Sequence, residues 1–119
     1  MGERFNLMDM DLSVPSDLIT ICRCGSGWLA LIVACFIKIQ EHCRENGIEE
    51  LYINDIKEKF GHLSIYLSSY DDEIEEIIEE YSKIASVTCE KCGDEGKLRT
   101  DLPWIQTLCG QHYREARRK

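Results

Sequence analysis

The sequence predicts an α+β domain in which a core helix, a β-hairpin and an acidic amphipathic helix are followed by a small metal-bound finger. Three observations predict it. Apolar residues recur at spacings of three and four between Trp28 and Cys43; Leu63, Ile65 and Leu67 alternate with polar neighbours; and Cys89, Cys92, Cys109 and His112 form two closely spaced ligand pairs. A chain of 119 residues has the length for one compact core with a small appendage. Its 44% hydrophobic and 30% charged content is that of a folded chain with a well-solvated surface.

Residues 1–20 read as an N-terminal arm, with Pro15 working against a long regular element; residues 21–86 form the body, and residues 87–119 a finger packed on it. Gly25 and Gly27 end a turn ahead of the first helix, which runs from about Ser26 to Asn46, and Gly47 stands where a left-handed C-terminal residue is wanted. Trp28, Leu31, Ile32, Cys35, Phe36, Ile39 and Cys43 share one face, broadened by Leu29, Val33 and Ile37. The apolar run Trp28 to Ile37 rises only about 15 Å, roughly half a hydrocarbon core, so it is expected to be a core helix and not a membrane span.

Residues 51–57 and 62–68 read as a hairpin across Lys59, Phe60 and Gly61. Ile56 falls out of step with Leu51 and Ile53, which calls for a bulge or an early end near Asp55. From about Asp71 to Ser86 a second helix places Ile74, Ile77, Ile78, Tyr81, Ile84 and Ala85 on one side, with Ser69 or Asp71 as its cap. Asp71, Asp72, Glu73, Glu75, Glu76, Glu79 and Glu80 give it a carboxylate-rich outer face.

Two residues separate Cys89 from Cys92, and two separate Cys109 from His112. That interval lets one tight turn aim two side chains at one point, and zinc takes four thiolate and imidazole ligands tetrahedrally. Gly93 permits the turn that closes the first pair into a knuckle. Lys97 to Thr100 and Trp104 to Leu108 read as a hairpin that returns the chain to its start, and a short helix from Cys109 onward carries the second pair. A closed set of four ligands predicts one structural Zn²⁺ and no open position for catalysis. Knuckle, hairpin and ligand-bearing helix together resemble a treble-clef finger over residues 87–119.

The remaining cysteines and histidines invite less chemistry. A second zinc site from Cys22, Cys24, His42 or Cys43 would need the one-residue Cys22–Cys24 spacing, which is poor for zinc; Cys35 and Cys43 read as buried small hydrophobes, and Cys22 and Cys24 alternatively as reactive thiols near the start of the helix. Neither His42 nor His62 has a visible nucleophile partner, and no catalytic constellation is expected. Seven cysteines fit either a secreted disulfide framework or thiolate ligands in a reducing compartment. The acidic opening, with Glu3, Asp9, Asp11 and Asp17, lacks the pattern of a signal peptide, and Asn6 breaks the myristoylation pattern behind Gly2, so a cytoplasmic protein is expected.

The net charge of −8 is uneven: residues 1–88 hold 17 Asp and Glu against 7 Lys and Arg, and residues 89–119 hold 5 against 7. An acidic body repels nucleic acid and favours basic partners.

Four stretches then point to relatives: Cys24-Gly25-Ser26-Gly27-Trp28; Ile56 to Tyr66, read Ile-Lys-Glu-Lys-Phe-Gly-His-Leu-Ser-Ile-Tyr; Cys89-Glu90-Lys91-Cys92-Gly93; and Trp104-Ile105-Gln106-Thr107-Leu108-Cys109 with His112. In this order they resemble a family of small bacterial, phage and prophage proteins. Ser26 and Ser64-Ile65 depart from a family pattern that has Asp and Arg-Phe there. The resemblance implies a mobile-element setting and a bacterial host cytosol.

Together these readings lead to an expected binding protein, not an enzyme. Its acidic face, Asp71 to Glu80, would occupy a basic site on a host protein that handles nucleic acid, in the manner of an anti-defence inhibitor. The alternative is a regulator whose finger binds nucleic acid through Arg99, Arg114, Arg117, Arg118 and Lys119.

Overall fold

A computed structural model describes residues 5–14 and 16–118; the readings placed on Gly2, Glu3, Pro15 and Lys119 lie outside the described residues. Along the chain run β1 (Phe5–Asn6), α1 (Ser16–Ile21), β2 (Cys22–Arg23), α2 (Leu29–Glu45), β3 (Tyr52–Lys59), β4 (His62–Leu67), α3 (Asp72–Ala85), β5 (Lys97–Arg99), β6 (Gln106–Leu108) and α4 (Gly110–Arg117), with 3-10 turns at Leu7–Asp9 and Ser26–Trp28. The fold mixes helix and strand, with the described elements in the predicted order from α2 onward.

Strand β3 is the axis of the body. Strand β4 lies antiparallel on one side of it, while β1 and β2 share the other, β1 antiparallel at Ile53 and Tyr52 and β2 parallel at Ile56 and Lys57. The register slips between Ile53 and Asp55, leaving Asn54 as the extra residue of a bulge; its side-chain amide donates to the Leu67 carbonyl at 3.2 Å. The bulge returns Ile56 to the inner face beside Ile53, so β3 continues to Lys59, two residues beyond the expected end. At the tip Phe60 and Gly61 have φ of 54° and 82°, the double left-handed turn whose twist matches the hairpin.

The inner face of the sheet buries Ile53, Ile56, Leu63, Ile65 and Leu67 with the α2 residues Ile32, Cys35, Phe36, Ile39 and Cys43. Trp28 is fully buried just ahead of α2. Two expectations of side-chain direction need correction: Ile37 and Ile84 are each 40% exposed, so the apolar stripe on each helix is narrower than their spacing implies. The first turns of α2 are covered on more than one side, with Leu29, Leu31 and Val33 partly buried against the core, and Ile37 lies beyond that cover.

The residues read as an arm contribute to the core. Leu7, Leu12 and Leu18 are buried in it. Buried Gln40 of α2 donates to the carbonyls of Leu7 (2.7 Å) and Met10 (3.0 Å), and the Asn6 side-chain Oδ1 accepts from the N–H groups of Met8 and Leu51, each at 3.0 Å. Polar side chains thus satisfy a backbone that has no long strand or helix to satisfy it.

At the far end of α2, His42 joins the two long helices. Its side chain is 9% exposed; Nε2 lies 2.6 Å from Asp71 Oδ2 and Nδ1 lies 2.7 Å from Glu73 Oε2. Asp71 is also the N-cap of α3, accepting from Ile74 N–H at 2.8 Å. The Asp71 carboxylate raises the His42 pKa above its ordinary value, against burial, and His42 in turn, with the Ile74 N–H, lowers that of Asp71. The imidazolium is therefore favoured in the folded chain. Its contribution is complete below the ordinary imidazole value of about 6.5 and lost as pH rises through the raised folded value; that of Asp71 is lost only in acid, as pH falls through its lowered value. In thermal unfolding, the stability gap between the parent and a His42→Gln variant should be widest near about pH 6 and shrink towards about pH 9; a gap independent of pH means that the helices are joined by packing alone.

Candidate metal centre

The finger builds its site from two turns. Thr88 bridges to Glu95 and Gly96 N–H donates to the Val87 carbonyl at 2.8 Å, so residues 87–96 close a loop. Inside it Gly93, at φ +85°, donates its N–H to the Cys89 carbonyl at 2.9 Å, which brings Cys92 back beneath Cys89. Strands β5 and β6 pair Lys97 with Leu108 and Arg99 with Gln106, returning the chain to Cys109. There Cys109 caps α4: its sulfur accepts the His112 N–H at 3.5 Å, and His112 follows on the first turn.

The four side chains converge, with one ligand atom from each lying within 4.8 Å of all the others. Cys92 Sγ and Cys109 Sγ are 3.8 Å apart, and His112 Nδ1 is 3.6 Å from Cys89 Sγ and 3.2 Å from Cys109 Sγ. With Zn–S bonds of about 2.3 Å and Zn–N bonds of about 2.0–2.1 Å, a tetrahedron has S···S edges of about 3.8 Å and S···N edges of about 3.6 Å. Two of the three separations match those edges, so the set fits a single zinc ion. Behind the imidazole, Glu115 Oε2 lies 3.8 Å from His112 Nε2, near the ring but beyond hydrogen-bond length. Among the described residues this is the one group of His, Cys, Asp and Glu with metal-holding geometry.

The electrostatics favour a cation. Burial opposes the Cys89 thiolate, but the N–H groups of Cys109, Cys92 and Lys91 outweigh it and lower the pKa. The His112 N–H, more than any other group, lowers that of Cys109. At Cys92 the Asp94 N–H favours the thiolate, yet desolvation and the neighbouring sulfurs of Cys89 and Cys109 prevail, pushing its pKa up to about 11. Three sulfurs this close keep a proton among them, and a divalent cation displaces it.

The motifs of the body meet the finger here. Gly27 donates its N–H to the Glu90 carbonyl at 2.7 Å, and Gly25 donates to the Glu90 carboxylate at 2.8 Å. A Cβ on Gly27 would stand 2.3 Å from the Cys89 carbonyl oxygen and one on Gly25 2.3 Å from that of Glu90. Trp28 donates its indole N–H to the Thr88 carbonyl at 2.8 Å. From the β3–β4 tip, the Gly61 carbonyl accepts from Thr107 Oγ1 at 2.7 Å, and Glu58 accepts the Trp104 indole N–H at 2.9 Å. The resembling stretches thus converge on one seam between body and finger. Glu90 and the paired glycines were not read from the sequence as a contact; the two glycines one residue apart were the available signal.

The other cysteines and histidines are dispersed. Cys35 and Cys43 are buried in the core, Cys22 and Cys24 are half-buried and hydrogen-bonded to each other, and His62 is exposed. The acidic residues of α3 are all exposed, but Asp71 and Glu73 face His42, Glu80 faces Lys38 at 3.3 Å and Glu79 faces Lys83 at 3.4 Å. Asp72, Glu75 and Glu76 make no ion pair among the described residues. Helix α2 adds Glu41 and Glu45 to the same surface, across a groove of about 350 Å³ floored by Ile77. In the finger Arg114, Arg117 and Arg118 are exposed, whereas Arg99 is half-buried, lying 4.2 Å over the Tyr113 ring and donating to the Leu108 carbonyl. Among the described residues no helix is long and apolar enough to cross a membrane.

Comparison of the chain with known protein families, curated proteins and solved structures found no match.

A Cys92→Ser chain should lose the metal and show a loosened finger, while Cys35→Ser should keep the metal; zinc retained in full by Cys92→Ser rules out this ligand set. Gly27→Ala leaves all four ligands in place but drives a methyl group into the knuckle backbone. It should lower the unfolding midpoint and speed zinc release to a chelator, and an unchanged release rate would mean that the seam does not support the metal centre.

Proposed function

We propose that this chain is a small acidic zinc protein that acts by binding another protein and not by catalysis. Its finger is read as treble-clef in kind, holding one structural Zn²⁺ through Cys89, Cys92, Cys109 and His112. One observation carries the choice of partner: Glu73 and Glu76 on α3 line a shallow groove with Glu41 and Glu45 on α2, carboxylates that outnumber its Lys38 and His42, while Asp72 and Glu75 add exposed charge on α3 outside the groove. A basic surface is the complement of such a face. The mobile-element setting implied by the resemblance makes its concrete form an inhibitor in the host cytosol, seated on a host protein that handles nucleic acid, where carboxylates take the place of phosphates.

The nucleic-acid reading of the finger is weaker. Arg99 is committed to Tyr113 and the Leu108 carbonyl, and Arg117 lies 5.5 Å from the same ring, which leaves Arg114 and Arg118 as the free described cations of the reading. Few phosphates can be neutralised that way, against a net charge of −8.

The zinc-loaded chain, used as bait in a bacterial lysate and titrated separately with double- and single-stranded DNA, tests the choice. Changing Glu75, Glu76 and Glu79 to Lys leaves Ile74, Ile77 and Ile78 in place, so the fold should survive with little stability change. Partner binding should fall by about tenfold or more and lose its salt dependence, while deletion of residues 114–119 should matter far less. Loss of binding on deletion, with the triple variant unaffected, would transfer the function to the finger.

A further inference from the structure

The finger presents one aromatic ring in a way its packing does not require. Trp104 is 63% exposed, yet its indole N–H is held by Glu58 of β3 at 2.9 Å. A ring with that much apolar surface in water and one edge tied down is fixed with a face open, not merely left outside. Beside it lies a recess of about 430 Å³ with Leu102, Pro103 and Ala116 as apolar lining and Gln106, Glu115, Lys91 and the metal-site residue His112 as polar lining, so it abuts the metal centre. The volume is that of a site for one side chain or a small ligand. The nearest ionic neighbour of Glu115 among the described residues is His112 Nε2 at 3.8 Å, beyond hydrogen-bond length, so its carboxylate can accept from a guest.

We propose that this recess receives an arginine side chain from a basic segment of a partner protein. A guanidinium is planar and weakly hydrated, stacks on an indole face, and still points its N–H donors at a carboxylate and an amide carbonyl in the plane of the stack. Trp104, Glu115 and Gln106 offer those three contacts on one recess. The net charge of −8 adds a field that draws a cation in and holds a phosphate off. A lysine fits less well, because its ammonium is a hydrated point charge without a stacking face. A nucleobase could use the same ring, but its phosphate would need Lys91, the one Lys or Arg of the lining. Lys91 therefore separates the two guests by sign: it repels an arginine and attracts a nucleotide. The proposal rests on the protein-binding reading only for the charge of the partner, since the recess is on the finger and the acidic groove is between α2 and α3.

The test uses the zinc-loaded full chain and follows the Trp104 indole N–H signal by NMR; Trp28, the only other tryptophan, is fully buried and serves as the internal control. The probes are a capped Gly-Arg-Arg-Gly peptide, its lysine counterpart and a thymidine oligonucleotide, in a salt series. The arginine peptide should shift the Trp104 signal and bind about three- to tenfold more tightly than the lysine peptide. Trp104→Ala should erase that preference, Glu115→Gln should weaken binding, and Lys91→Met should strengthen it. The Glu75, Glu76 and Glu79 reversal should leave the Trp104 response to the peptide in place even where it removes partner binding, so the two readings fail separately. Equal binding of the two peptides overturns the proposal. So does a Trp104 shift produced by the oligonucleotide and weakened by Lys91→Met, which would make the recess a nucleotide site.

Discussion

Nothing larger than hydrogen fits on the Cα of Gly27, because the carbonyl oxygens of Cys89 and Glu90 and the Cys92 nitrogen all lie within 2.7 Å of where a methyl group would stand. Backbone packed this closely on backbone leaves no water between the strands of chain, so the polar groups must satisfy one another, as Gly27 N–H and the Glu90 carbonyl do. The consequence is mutual. The knuckle that aims Cys89 and Cys92 is braced by the loop ahead of α2, and the same loop delivers Trp28 into the core with its indole N–H on Thr88. Glu90 completes the contact with a buried carboxylate; burial raises its pKa, and the Gly25 N–H holds it down. A finger of about thirty residues has too little apolar surface to order itself unaided, and here it leans on a neighbour and carries a ligand set that fits a metal ion.

Much of this was legible in the sequence, for reasons that differ from place to place. Helices α2 and α3 and strand β4 declare themselves because their apolar residues repeat at the period of the element, and the ligand pairs because a two-residue interval has a direct geometric meaning. The bulge was visible as a broken alternation at Ile56, though alternation alone does not say whether a strand bends or stops. The N-terminal segment was not legible as core. Its buried leucines, Leu7, Leu12 and Leu18, fall at intervals of five and six that match no regular element; its Leu7 and Met10 carbonyls are satisfied by Gln40, and its Asn6 side chain satisfies the Leu51 N–H, contacts separated by 30, 33 and 45 positions. No local pattern encodes such a bond. The exposure of Ile37 and Ile84 has the same origin, since periodicity marks a stripe but not how far the neighbouring elements reach across it.

The distribution of charge shows a similar division between what composition fixes and what folding arranges. A row of carboxylates on α3 was evident, but four of its members are drawn into pairs with His42, Lys38 and Lys83, and the surface they leave is completed by Glu41 and Glu45 from another helix. The acidic face is thus a property of two packed helices. Two of the polar contacts that join these helices, His42 between Asp71 and Glu73 and Lys38 with Glu80, also tie up carboxylates of α3. Packing and surface chemistry are coupled through them.

The placement of the seam bears on how the chain can be made. Synthesis delivers the N-terminus first, yet Phe5, Asn6, Cys22 and Arg23 find their strand partners only in β3, and Gly27 finds its acceptor only at Glu90. The loop ahead of α2 is therefore made 65 positions before the carboxylate that receives the Gly25 N–H, and it stays without that partner until the knuckle has been synthesised. Completion of the body and ordering of the knuckle are coupled events, because the same backbone contacts serve both.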